Sequence, residues 1–258
     1  MHRSERILRI KDILLDQNKV SVEELCSKFG VSEVTIRKDL NMLEEEGYVQ
    51  RIYGGAVITS GNTDSFFLPR SMIKNEILNF SVDKCYIASI ASRLVNDGDN
   101  IFIGCGDTCA AIAQGMLSRK ANFVTNSILV AAILALNPFA SVLVTGGALS
   151  GYDKHFLSGE MFLKSMQDLH FKYAFLGAAG ADISSGFTTY SNFEQTVCEA
   201  VKKSSDKVVF ALGSQKFGKI NFMKIGDLDT ADIIISDSDI PTEYQTYFTE
   251  HHIEVLTE

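Results

Sequence analysis

The chain has 258 residues, 46% of them hydrophobic and 22% charged, with a formal net charge of -8. That length and apolar content suit one or two ordered α/β domains with a sizeable core, and the acidic balance argues against indiscriminate adhesion to nucleic acid or anionic membranes. Five cysteines, odd in number and without a C-x-x-C pair, fit a reducing cytosol; neither a metal site nor a cofactor is expected.

The charge is uneven. Residues 1–57 hold nine Lys/Arg and ten Asp/Glu, so -7 of the -8 falls on the remainder. The opening "MHRSERILRIKDIL" alternates charged with apolar residues and lacks the apolar core of a secretion signal. The longest apolar run, "ILVAAILAL" at 128–136, stops at Asn137-Pro138, well short of the roughly 20 residues a membrane span needs. A cytoplasmic protein without membrane contact is expected.

In chain order, Ile7, Ile10, Ile13 and Leu14 mark the apolar face of a first helix that fades near Gln17-Asn18. Ser21 and Glu24 form a capping box for a second, short helix ending near Phe29-Gly30. Ser32 caps a third, in which Ile36, Leu40 and Leu43 share one side, and Gly47 stops it. In "YVQRIYGGAVI", residues 48–58, β-formers flank Gly54-Gly55, as in a two-stranded ribbon. Together these predict a winged helix-turn-helix over residues 1–58, followed by a polar linker at 59–69.

Opposite the buried side of the third helix lie Val34, Lys38 and Asn41, flanked by Arg37 and Thr35. Such a helix start fits the major groove of double-stranded DNA. Arg or Lys would bridge guanine acceptors, Val34 and the Thr35 methyl would meet thymine methyls, and Ser32 or a backbone N–H would take a phosphate. Arg51 and Tyr53, on the ribbon, are placed for backbone or minor-groove contact. An isolated Arg-Lys pair is more often a solvated surface. Here two capped helices, a tight turn and a Gly-Gly ribbon follow one another in the order a winged helix requires.

Over residues 70–258 helices alternate with short buried strands: 101–104, 123–125, 141–147, 173–180, 207–212 and 232–237, with apolar helical segments at 109–117, 127–136 and 194–204. This alternation predicts a larger, Rossmann-like domain with a mostly parallel sheet and helices on both faces. "IFIGCGDTCAAIA", residues 101–113, is a strand, a Gly-x-Gly turn at Gly104 and Gly106, and a helix start, a geometry that exposes N–H groups to a phosphate. Further loops fall at C-terminal strand ends, where such sheets bind ligands: Thr125-Asn126, Gly146-Gly147, 177–180 and 213–218. Glu194 opens a helix, and its distance in sequence does not exclude it from that pocket.

At residues 31–56, "VSEVTIRKDLNMLEEEGYVQRIYGGA" resembles the signature of DeoR-type bacterial transcription regulators: V-S-x-x-T-I-R-[RK]-D-L, then L-E-x-x-G, then a wing closing on R-x-x-G-G-A. The resemblance implies that Ser32, Thr35, Arg37 and Lys38 sit in the DNA-reading helix, that Asp39 orients a neighbouring cation, and that Arg51 lies on the wing. It extends through Lys84, the G-x-G-D-T loop, "TNS", "TGGAL", "FLGAAG", "GFTT" and "KFG" to nearly the whole chain. In that family the second domain is a sensor related in fold to sugar-phosphate isomerases, so the implied partner is a phosphorylated sugar or related effector. By position Gly106 and Thr108 would meet the phosphate, Thr125, Asn126 and Gly147 would line the pocket, and Lys216 would supply a cation.

The chain departs from the family's usual D-S-G-T-T at 104–108, where Asp107 would oppose a phosphate unless Lys216 or another cation offsets it or it accepts from a sugar hydroxyl. It also reads Phe171-Lys172-Tyr173 for F-D-K, and Gly177-Ala178-Ala179-Gly180 for G-x-D-G. The resemblance implies a repressor of a carbohydrate-metabolism operon, relieved by effector and bound to operator DNA; a homodimer or homotetramer is expected, since one winged helix contacts few bases. The competing reading is a sugar-phosphate isomerase or acyl-CoA transferase-like enzyme fused to a DNA-binding module. Isomerisation needs a carboxylate base, which Ala179 is not, leaving Asp182 and Glu194 as substitutes; no catalytic residue is expected.

Overall fold

A computed structural model describes residues 3–17, 19–45, 49–58, 80–149 and 156–257. The chain divides into two compact units, Met1–Asn79 and Phe80–Glu258. The expected linker at 59–69 and the helix stop at Gly47 lie outside the described residues.

The first unit runs α1 Arg3–Gln17, β1 Lys19–Ser21, α2 Val22–Phe29, α3 Glu33–Glu45, β2 Val49–Ile52 and β3 Gly55–Ile58. The Ser21 hydroxyl accepts the Glu24 N–H at 3.1 Å, and Gly30 closes α2 by donating its N–H to the Cys26 carbonyl. Ile10, Leu14, Leu25, Ile36, Leu40 and Leu43 are fully buried in one cluster. Removing most of such a side chain costs about 2–5 kcal/mol, so this small core is what sets the angle between α2 and α3.

The ribbon differs from the expected two strands. β1 pairs antiparallel with β3, giving the order β1-β3-β2. A three-residue strand is too short for alternation to show in the sequence, yet Val20 is buried in the core. Gly55 records the pairing: a Cβ there would lie 2.1 Å from the Val20 carbonyl oxygen.

In the second unit the helices are α4 Val82–Leu94, α5 Asp107–Gly115, α6 Ile128–Leu134, α7 Glu160–Met166, α8 Phe193–Lys203 and α9 Thr242–Glu250. The strands are β4 Asn100–Ile103, β5 Asn122–Thr125, β6 Ser141–Val144, β7 Ala148–Leu149, β8 Leu157–Ser158, β9 Phe171–Leu176, β10 Gly180–Asp182, β11 Gly186–Thr189, β12 Ser205–Ala211, β13 Met223–Gly226, β14 Ile233–Ile235 and β15 Glu254–Leu256. Seven of them form one sheet, ordered β15-β14-β12-β9-β4-β5-β6, in which each pair is parallel.

Strands buried on both faces explain the near-continuous apolar runs. Phe102 and Val124 belong to the cluster beneath α7, α8 and α9, while Ile101, Ile103 and Phe123 point the other way by the two-residue period of a strand. Phe187 stacks on Phe210 with ring centroids 3.7 Å apart. The expected segment 141–147 is shorter as a strand, because the chain leaves the sheet at Thr145 and turns into the β7–β8 ribbon. The small antiparallel sheet β10-β11-β13 and the edge strand β15 were not expected; they are short, and β15 starts on an exposed Glu254. Among the described residues no helix is long and apolar enough to cross a membrane.

Sheet order decides where a ligand can sit. From β4 the chain steps outward through β5 to β6, then returns to β9 on the other side and steps outward through β12, β14 and β15. Loops leaving the carboxyl ends of β4 and β9 therefore diverge to opposite faces, opening a crevice between them.

Candidate functional site

The surface of the first unit expected to read DNA is built on α3. Ser32 caps it through its carbonyl, which accepts from Ile36 at 3.2 Å, while its hydroxyl lies 3.0 Å from that of Thr35. Val34, Arg37, Lys38 and Asn41 are exposed, Val34 at 63%. Arg37 pairs with Glu33 at 3.1 Å across one turn, an exposed contact easily exchanged for a phosphate or a base.

Two residues have a second role. Arg51 donates to Asn41 Oδ1 and, at 3.1 Å, to the Gly55 carbonyl, and its backbone N–H reaches Glu44 at 2.9 Å, so it fastens the wing to α3. Tyr53 is left fully exposed at the ribbon tip. Behind the reading face Asp39, 1% exposed, accepts from Arg6 at 2.6 Å and from Arg3 at 3.2 Å. The cations oriented by Asp39 belong to α1, and the ion pairs lock α1 against α3.

In the second unit a cavity of about 270 Å³ lies at the carboxyl ends of β4 and β9. Gly104, Gly106, Asp107, Thr108, Glu194 and Lys216 line it, joined by Lys84, Cys105 and Tyr190. Gly106 has φ of 93°, a conformation costly for other residues, and its carbonyl accepts the Ala110 N–H, so the loop turns directly into α5. Cys105 brings its thiol to 3.8 Å from Glu194 Oε1. Burial, aided by the Glu194 charge, pushes the neighbouring Cys109 thiol up to about 12, so it remains protonated.

The lining carries two lysines and two carboxylates, a formal balance of zero. Asp107 is offset by Lys84, whose Nζ lies 2.8 Å from Asp107 Oδ2. No carboxylate occupies the 177–179 stretch, where Ala178 and Ala179 face the cavity. Asp182 is engaged in its own turn instead, accepting from the Ser184 hydroxyl at 2.7 Å and from the N–H groups of Ser184 and Ser185; these bonds hold its carboxyl below the usual range. Lys172, the other departure, pairs with Asp99 at 3.0 Å away from the cavity.

Four expected residues do not reach the lining. Thr125 and Asn126 are fully buried: Thr125 Oγ1 accepts the Ser127 N–H, and Asn126 Nδ2 donates to the Leu157 carbonyl. Gly146 donates to Ser165 Oγ, and Gly147 lies against the Ser158 backbone. Asn126, Gly146 and Gly147 thus hold the β7–β8 ribbon and α7 beside the sheet, while Thr125 braces the turn into α6.

Residues 80–238 match the DeoR C-terminal sensor domain, and residues 6–61 match the DeoR-like helix-turn-helix domain. The chain belongs to the DeoR family. It is 32% identical to a candidate aga operon transcriptional repressor from Escherichia coli O157:H7, covering 98% of this chain and 93% of that one. With the glycerol-3-phosphate regulon repressor of Escherichia coli strain K12 the identity is 27%, over 99% of both. A ribose 5-phosphate isomerase A structure from Neisseria gonorrhoeae aligns with 52% of the chain at 17% identity and a TM-score of 0.39.

Within this DeoR-family sensor, Ala178 lines the cavity from the expected 177–180 loop, Cys105, Leu176 and Thr189 stand in recognised motifs in which no ligand role was expected of them, and Tyr190, Val197 and Ile225 carry no signal in the sequence. Thr189 ends the recognisable "GFTT" and Tyr190 follows it, but nothing local indicates that β11 lies over the crevice; that follows from its pairing with β10 and β13.

Proposed function

We propose that this protein represses a carbohydrate-metabolism operon, with α3 and the wing reading operator DNA and the β4–β9 cavity taking a phosphorylated sugar or related metabolite that changes operator affinity. The carrying observation is the cavity itself: Lys84, Lys216 and the Gly106 turn converge at the switch point of a parallel sheet, in a chain that also carries an exposed, capped reading helix. Glu194 and Asp107 add acceptors suited to hydroxyl groups. Effector control requires that the metabolite bind one arrangement of the protein better than another. Two copies are needed to read two half-sites.

A thermal-shift series with phosphorylated sugars and polyols, followed by operator binding with and without each stabilising compound, tests this reading. It expects at least one compound to raise the melting temperature and to change operator affinity. No sequence-preferring DNA binding at moderate salt, with or without compound, sinks it.

The position of Glu194 in the cavity favours one competing reading, an isomerase, because a carboxylate there has access to a bound sugar. Asp182 does not support it: its carboxyl is consumed by turn hydrogen bonds that make it a weaker base. Purified protein that is stabilised by a sugar phosphate yet does not turn it over removes the enzyme.

A further inference from the structure

The longest apolar run of the chain is not absorbed by either site. Residues 121–152 contain no Asp, Glu, Lys, Arg or His, in a chain with 22% charged residues. This stretch builds β5, α6, β6 and β7, at the end of the sheet where β6 is the outermost strand among the described residues. An edge strand presents unpaired backbone donors and acceptors, and natural edges are commonly blunted by charges, proline or a bulge. Ser141–Val144 carries neither charge nor proline, and its pairing with β5 is regular.

The surroundings are apolar as well. Ile128 on α6, Phe139 before β6, Leu143 and Val144 on it, Leu149 on β7 and Met161 on α7 are 44–64% exposed. Met161 belongs to this edge because its side chain is what a Cβ on Gly146 would touch. These side chains offer on the order of 600 Å² of surface, comparable with the roughly 800 Å² per partner of a standard interface once the β6 backbone is added. A helix apolar around most of its circumference, like α6, is normally covered on more than one side.

We propose that this edge is where a second copy of the chain docks, β6 pairing antiparallel with its counterpart about a two-fold axis normal to the sheet. Charge selects this occupant. Two chains of -8 repel, and a strip without ionisable groups is where they approach at least electrostatic cost. The two-fold axis keeps like faces of the two sheets together, so α6 meets its counterpart and the surface is self-complementary. The proposal rests on the regulator reading only for the need to present two winged helices to two half-sites.

The test measures the mass of the full-length protein by sedimentation velocity, for wild type, Leu143→Lys and Leu143→Asp. Wild type is expected as a dimer or larger even-numbered assembly at micromolar concentration. Each variant alone puts like charges on both copies of the four-residue edge and is expected to weaken association at least tenfold, whereas an equimolar mixture, bringing Lys and Asp to the same edge, should re-associate. Rescue on mixing excludes misfolding as the cause of the loss.

A monomeric wild type, a variant that keeps the wild-type mass, or a mixture that stays monomeric overturns the proposal. An operator-preferring monomer would fail this interface and leave the regulator reading intact; a dimer without operator preference would do the reverse.

Discussion

The two units prepare their binding surfaces in opposite ways. The surface expected to read DNA comes from residues 32–53 alone and presents Arg37 and Lys38 to solvent. The sensor cavity draws on positions from Lys84 to Ile225, is concave, and matches its two lysines with two carboxylates. DNA is a large polyanion that arrives with its own shape, so a rigid helix with exposed charge suffices. A small metabolite must be enclosed, and enclosure requires loops from several strands brought together by the sheet.

The largest effect expected lies behind the reading face. Removing one partner from a buried ion pair costs about 3–5 kcal/mol, because the remaining charge is left desolvated. Asp39→Ala strands Arg6, which is 8% exposed, and should destabilise the winged-helix unit by that order in chemical denaturation. A loss below about 1 kcal/mol would mean that Arg6 escapes to water and that α1 is not held by this pair.

This asymmetry explains what the sequence revealed. Ser21, Gly30, Ile36 and Leu40 act on neighbours within a turn or two, so the helices of the first unit followed from spacing. The parallel strands followed from their apolar runs. For the cavity, the Gly104-x-Gly106 turn gave its own geometry away, because positive φ is a local demand. The Lys84–Asp107 pair spans 23 positions and Cys105–Glu194 spans 89, and nothing in either segment signals the other. Thr125 and Asn126 stay outside the lining for the same reason. They stand at a strand's carboxyl end, but their strand lies on the far side of β4 from the crevice, and a ribbon covers them.

Next in size is the separation of reading from holding on the DNA side. Lys38→Ala should weaken operator binding by about 1–3 kcal/mol and flatten base preference while leaving the melting temperature unchanged, since Lys38 is exposed. Arg51→Ala should lower both affinity and melting temperature, because it releases the bonds to Asn41 and Gly55 that tie wing to helix. Equal effects of the two variants on stability would remove that distinction.

On the sensor side the balance of charge gives a smaller, signed effect. Asp107→Asn frees Lys84 and is expected to tighten binding of inorganic phosphate severalfold, whereas Lys84→Met should weaken it by a similar factor, both read by isothermal titration. If Asp107→Asn weakens phosphate instead, the carboxylate positions Lys84 rather than competing with the anion.

The smallest effect concerns Asp182, and its sign follows from the direction of its shift. Hydrogen bonds from the Ser184 hydroxyl, then from the Ser185 and Ser184 N–H groups, favour the ionised form and lower its pKa in the folded protein. A carboxyl depressed on folding contributes stability above its unfolded pKa of about 3.9, and that contribution is lost as the pH falls through the lower folded value. Asp182→Asn should therefore be less stable than wild type at pH 7, by less than about 1 kcal/mol for so exposed a turn, with the gap closing in strong acid. A gap that persists unchanged there would assign the turn's stability to geometry rather than charge, and would remove the reason given for Asp182 being a poor base.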